Sequence, residues 1–135
     1  MSDEGALSLI LFSGTDDKLT SAGILAVGAA AMGRPVHIFL QYWALDAFRS
    51  DRIKADHGVA PEATEEQAAL IRAHAEPHWS ENLASAKDLG EVTINACPHS
   101  METLGITKEE LDPLVDGVIG VATFFMNADG PITFI

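Results

Sequence analysis

The residue of this sequence best suited to covalent chemistry is Cys97, the only cysteine among 135 residues. It stands in Ala96-Cys97-Pro98-His99-Ser100-Met101, directly behind the apolar run Val92-Thr93-Ile94-Asn95-Ala96. Proline is favoured at the first position of a helix, so Cys97 reads as the residue just ahead of a helix N-terminus. Backbone amides there carry partial positive charge and stabilise a thiolate. His99 adds a charge nearby when protonated, and Ser100 is a further polar neighbour. A free cysteine is also among the most often buried residue types and then packs as a small hydrophobe. Position alone leaves both readings open. Disulfide exchange within the chain needs a second cysteine, and there is none.

Other candidates carry weaker chemistry. Ser13-Gly14-Thr15 could form an anion-binding turn ahead of a helix. It lacks both glycine-rich phosphate patterns, and Asp16 and Asp17 follow at once. A turn that opens a helix, with Thr15, Asp16 or Asp17 as N-cap, is the favoured reading. Ser13 and Thr15 nevertheless stay among the candidate substrate contacts, because they follow a strand end. Tyr42 and Trp43 follow another; with Phe48 and Trp79 they are expected to gather over the strand ends, as a pocket wall or a subunit interface. His74 and His78 have the i, i+4 spacing of a metal pair, but Pro77 disturbs the helix between them and no third ligand is evident. No metal and no cofactor is expected. His37, inside a strand, reads as a core or interface histidine. No Gly-x-Ser-x-Gly elbow exists to support a serine nucleophile.

These residues need a scaffold, and the apolar pattern supplies one. Leu7 to Phe12, Val36 to Leu40, Val92 to Ala96, Gly117 to Val121 and Ile132 to Ile135 read as strands. Near-continuous apolar runs of this kind suit a parallel sheet covered on both faces. Between them lie helical stretches. Lys18 to Met32 is rich in Ala and Gly and ends on Gly33 with Pro35 beyond. Ala44 to Ala55 reads as a short helix. Thr64-Glu65-Glu66-Gln67 is a capping box that opens a helix to about Ala75. Pro77 then forces a kink or a restart with proline in the first turn. Trp79, Leu83 and Ala86 form an apolar stripe ending at Gly90. Pro98 to Leu104, a second capping box at Thr107-Lys108-Glu109-Glu110, and Ala122 to Asn127 complete the set. The alternation predicts one α/β domain over residues 1–135, a three-layer αβα sandwich around an open, mostly parallel five-stranded sheet. Such sheets collect ligands beyond the carboxyl ends of their strands. That rule selects Ser13 to Asp17, Gln41 to Trp43, and Cys97 to Met101.

Bulk composition excludes several classes. Twenty acidic residues against eight basic ones give a net charge of −12, which repels nucleic-acid phosphates and anionic lipid. No apolar run is long enough to span a bilayer, and the acidic N-terminus is unlike a signal peptide. One cysteine and no leader point to a reducing compartment, the cytoplasm.

Several stretches resemble the DsrE/DsrF-like family, which includes the TusD-type sulfur-relay subunits. They are Phe12-Ser13-Gly14-Thr15-Asp16-Asp17-Lys18, then Ala29 to Gly33 before Val36 to Leu40, then Ala96-Cys97-Pro98-His99-Ser100-Met101 to Ile106, and the C-terminal strands. The Ala-Cys-x-x-Ser-Met…Gly pattern is the most specific of these. Pro98-His99 depart from the polar or Met residues usual there. The resemblance spans nearly the whole chain except about Ser50 to Ala75, a segment that could serve as a lid over Cys97 or an interface helix. It implies a five-stranded αβα sandwich assembled as a homo-oligomer, often a trimer or hexamer. It also implies a persulfide-carrying cysteine, here Cys97, served by a sulfur donor and an acceptor protein. Tyr42, Trp43, Ser13, Thr15, His99 and Ser100 are the candidate surroundings of the transferred sulfur. The rival expectation is a binding subunit, with no catalytic activity, in which Cys97 only packs.

Overall fold

The computed structural model describes residues 5–128 and 130–135. Five short strands, β1 (Leu7–Leu11), β2 (Val36–Leu40), β3 (Val92–Ala96), β4 (Gly117–Val118) and β5 (Ile132–Phe134), lie in the order β4-β3-β2-β1-β5. Every neighbouring pair is parallel, so the expected open sheet is parallel throughout. Parallel neighbours require crossovers, and helices supply them. These are α1 (Asp16–Ala31), α2 (Tyr42–Ala47), α3 (Glu65–Ala73), α4 (Trp79–Leu89), α5 (Pro98–Leu104) and α6 (Val121–Asn127).

The strand residues separate by parity. Leu9 and Leu11, Val36, Ile38 and Leu40, and Val92, Ile94 and Ala96 all enter one large core. That core is completed by α1 and α4, with Leu19, Ala22 and Ala26 facing Trp79, Leu83 and Ala86. α2 adds Ala44, Leu45 and Ala47, and α5 leans Met101 and Leu104 on it. The most extensive helix contact is between α1 and α4. The small residues of α1 serve this contact: a Cβ on Gly23 would lie 3.1 Å from the Asn82 Cβ. The other face carries Ser8 and Ile10, His37 and Phe39, Thr93 and Asn95, and it is covered only thinly. Ser8 pairs across to His37, and His37 to Thr93, so three polar side chains form one row. Among the described elements only α6 packs here, and Phe124 is its single buried residue. The sandwich is therefore lopsided, where the apolar runs had suggested even cover.

Several element limits differ from expectation. α2 stops at Ala47 and does not run from Ala44 to Ala55. The backbone beyond it is taken by tertiary partners. Phe48 O accepts from Asp112 N at 2.8 Å, Ser50 N donates to Glu110 O at 2.8 Å, and Arg49 bridges Leu111. β4 has two residues, because Gly120 already caps α6. It is fixed by Asp116, whose carboxylate accepts from Ile94 N at 2.8 Å and pairs with Lys87 at 2.6 Å. Pro77 neither kinks a helix nor sits in a first turn. It lies between His74, the C-cap of α3, and His78, the N-cap of α4. The Thr64–Gln67 capping box forms as expected. The sequence reads Asp129-Gly130-Pro131 as the turn into β5, and Asp129 falls outside the described residues.

The turn after β1 depends on one missing side chain. A Cβ on Gly14 would collide with the Trp43 carbonyl, falling 2.7 Å from its carbon. The obstacle is backbone and cannot rotate away. We expect Gly14→Ala to destabilise the fold by about 1–3 kcal/mol, read as a lowered urea midpoint with an unchanged slope.

Candidate functional site

Cys97 lies where the strand-end rule places it, one residue past β3, with its amide donating to Leu40 O at 3.0 Å as a last rung of the ladder. It is the N-cap of α5, and Pro98 occupies the first turn. Its Sγ takes the place of a capping oxygen and accepts the Ser100 amide at 3.5 Å. The geometry holds the sulfur against the positive end of a backbone turn. The thiol is 6% exposed and packs with Phe39 and Phe124, with Ile10 and Ile119 beside them. Phe124 stacks on Phe39 at 5.0 Å between centroids and forms the lid of this small cluster. None of these neighbours comes from residues 50–75.

The other candidates divide into two groups. Ser100 is fully buried beside Cys97, and its hydroxyl has no hydrogen-bond partner among the described residues. His99 is exposed, and its ring meets Tyr42 edge-on at 6.5 Å. Tyr42 in turn packs on Phe12 at 5.4 Å, and Phe12 on Phe134 at 5.8 Å. Tyr42 is also strained: its φ of +41° is unusual for a bulky residue, and such strain concentrates at functional sites. Ser13, Thr15 and Trp43 belong elsewhere. They line a shallow groove with Lys18, Arg52 and His57. The Ser13 hydroxyl accepts from Lys18 there at 3.3 Å. Thr15 is the N-cap of α1, but its hydroxyl makes no capping bond and is buried without a partner among the described residues. The four-aromatic cluster does not form. Phe48 and Trp79 pack together in the large core at 5.1 Å, while Trp43 is 57% exposed and touches Tyr42 only distantly, at 6.5 Å.

Sequence reasoning passed over Asp16. The local sequence marks it only as an N-cap candidate, yet its two oxygens accept from the Trp79 indole at 3.0 Å and the His57 amide at 3.1 Å. Both partners are more than forty residues away along the chain, and no local signal announces them. His74 and His78 cap different helices and do not form a pair. His74 Nδ1 donates to Leu70 O at 2.8 Å. His78 Nδ1 accepts the Ser80 amide at 3.1 Å and the Ser80 hydroxyl at 2.7 Å. Among the described residues no three His, Cys, Asp or Glu side chains come close enough to hold a metal ion. No described helix is long and apolar enough to cross a membrane.

Residues 3–76 match the DsrE/DsrF/DrsH-like family, which is more than half of the chain. The chain belongs to that family. The matched stretch runs from β1 through α3 and ends before β3 and Cys97. A curated relative, the uncharacterized protein YrkE of Bacillus subtilis (strain 168), is 25% identical over 146 aligned positions, covering 90% of each chain. A solved structure of a protein of unknown function, MTH1491 from Methanobacterium thermoautotrophicum, superposes with a TM-score of 0.49 at 11% identity, covering 89% of this chain and 88% of that one.

Local electrostatics single out His78. Burial, then the Lys54 ammonium, hold its pKa below the usual histidine value of 6.5. Its Nδ1 must also stay unprotonated to cap α4. As pH falls through 6.5, the unfolded chain takes up a proton that the folded chain resists, so stability falls with pH. Asparagine is a good N-cap that does not titrate. His78→Asn should therefore flatten the loss of stability between about pH 7 and pH 5, measured by urea unfolding at each pH against the parent chain.

Proposed function

We propose that this protein carries sulfur as a persulfide on Cys97, receiving it from a donor protein and handing it to an acceptor in the cytoplasm. One observation carries the reading: the Cys97 sulfur occupies the N-cap of α5 at the strand ends and accepts the Ser100 amide. Family membership supports it, and so does the strained Tyr42 packed on His99 over the same strand ends. In the loading step the Cys97 thiolate attacks the outer sulfur of a donor persulfide. The new bond is the Cys97 S–S bond, the donor S–S bond breaks, and the donor thiolate leaves with the electron pair and takes up a proton. Unloading is the same reaction with the acceptor thiolate attacking the outer sulfur. The amide facing Sγ stabilises negative charge at each stage. Apolar cover by Phe39 and Phe124 shields the persulfide from water and stray thiols, so transfer requires α6 to lift. That movement is modest, since Phe124 is the only residue of α6 that is buried.

The same burial favours a second reading, a binding subunit in which Cys97 merely packs. Incubation with a cysteine persulfide donor separates the two. The carrier gains the mass of one sulfur atom, Cys97→Ser does not, and Phe124→Ala loads faster. A thiol that stays unmodified in both the parent and Phe124→Ala, and that reacts with thiol reagents only in urea, establishes the structural role instead.

We also propose that the chain self-associates through α6 and β5. Residues 117–135 contain one charged residue, Asp129, in a chain of net charge −12. Phe125, Met126 and Phe134 are 52%, 84% and 63% exposed on this surface. Two strongly acidic molecules can approach without repulsion only where charge is absent. β5 is moreover a sheet edge with free backbone groups. Phe125→Glu with Met126→Lys should convert the assembly to monomer, seen as a lower mass by light scattering behind size exclusion. A parent chain that already elutes as monomer contradicts this interface.

A further inference from the structure

On the side of the sheet away from Cys97, the start of α1, the end of α3 and the start of α4 enclose a cleft of about 520 Å³. That volume lies within the range of small-molecule sites. None of its lining residues belongs to the cluster around Cys97. Its walls are held by bonds already satisfied. Asp16 anchors the Trp79 indole and the His57 amide, Arg72 pairs with Asp56 at 3.1 Å across the rim, and Lys54 reaches Ser80 at 3.1 Å and Glu81 at 3.6 Å. Val59, Ile71 and Ala75 supply an apolar lining.

The pairing decides the sign of the ligand. Both cations of the lining, Lys54 and Arg72, are neutralised by Glu81 and Asp56. Asp16, Asp17 and Glu76 line the same cleft, and among the described residues none of them has a cationic partner. His78 stays neutral below the ordinary histidine pKa. His74 Nδ1 donates to Leu70 O and is taken up by the end of α3. The uncompensated charge is therefore negative, and Val59, Ile71 and Ala75 lie beside it as an apolar wall. The overall charge of −12 draws cations toward it.

We propose that this cleft binds a small organic ammonium compound, its apolar body against Val59, Ile71 and Ala75 and its ammonium group toward Asp17 and Glu76. The test uses the full chain, 15N-labelled, titrated separately with hexylammonium, hexanoate and hexanol at matched ionic strength. Hexylammonium should shift the amide signals of Val59, Ile71 and Ala75 along a saturable curve with a midpoint of about 1 mM. Hexanoate should leave them unmoved. Asp17→Asn with Glu76→Gln should weaken binding about tenfold, and Ala75→Trp, which fills the cleft from an exposed position, should abolish it while preserving the remaining amide pattern. Three results would each overturn the proposal. They are no saturable shift with hexylammonium, an equal response to hexanoate, and shifts spread as strongly over the acidic surface at Glu109 and Glu110.

Discussion

The stack of Phe124 on Phe39 is the contact on which the thin side of this molecule depends. The sheet buries one face against four helices and the other against one helix of seven residues. Truncation of a buried aromatic ring costs about 3–5 kcal/mol, so a single stacked pair can hold so short a helix in place. It cannot hold it rigidly, because no second residue of α6 is buried. Cys97 lies beneath this lid. The thiol is thus sealed by a helix anchored through one buried residue, while the thick face, with α1 packed along α4, stays closed. Burial and reactivity do not conflict under those conditions. Local opening of weakly packed elements is far cheaper than global unfolding.

The thin face also explains the charge distribution. A sheet surface carrying Ser8, His37 and Thr93 in one row is not built to be the floor of a second large core. Nor is the charge-free stretch around it built to face water alone, since Phe125, Met126 and Phe134 lie open on a chain that is otherwise strongly acidic. On the proposed self-association, these exposed apolar side chains are what a second copy covers. An interface on the outer side of α6 would bear on the helix whose inner side closes over Cys97. Assembly and access to the thiol would then be coupled through one element.

Much of this was legible in the sequence, for physical reasons. The limits of β2, β3 and α5 follow from local signals alone: a five-residue apolar run, a proline at a first turn and a glycine at φ +67° closing it. The lopsided cover was also written there. Polar residues at Ser8, His37, Thr93 and Asn95 fall on one parity of their strands, but the apolar content of the runs masks that alternation and suggests burial on both faces. What was illegible is what depends on distant partners. α2 ends early because residues 110–112 take over the backbone of residues 48–50. The role of Asp16 is set by Trp79, sixty-three positions away. The grouping of the candidate site residues was likewise beyond local reading. Tyr42 and Trp43 are adjacent in the chain, yet one packs near His99 and the other opens onto a different groove.

The long segment between β2 and β3 acquires its meaning from Asp16. A crossover between neighbouring parallel strands needs only one helix, and α4 alone, packed along α1, meets that need. Residues 50–76 are therefore surplus to the topology. They are not surplus to the surface, because the His57 amide and the Trp79 indole converge on one carboxylate at the first turn of α1. That convergence ties the extra chain to the starts of α1 and α4, and residues of all three line the cleft. The carboxylate spends both oxygens on the wall and keeps its charge uncompensated. The bonds that build the cleft thus leave it negative, and a scaffold of this kind favours one class of ligand before any side chain is given over to recognising it.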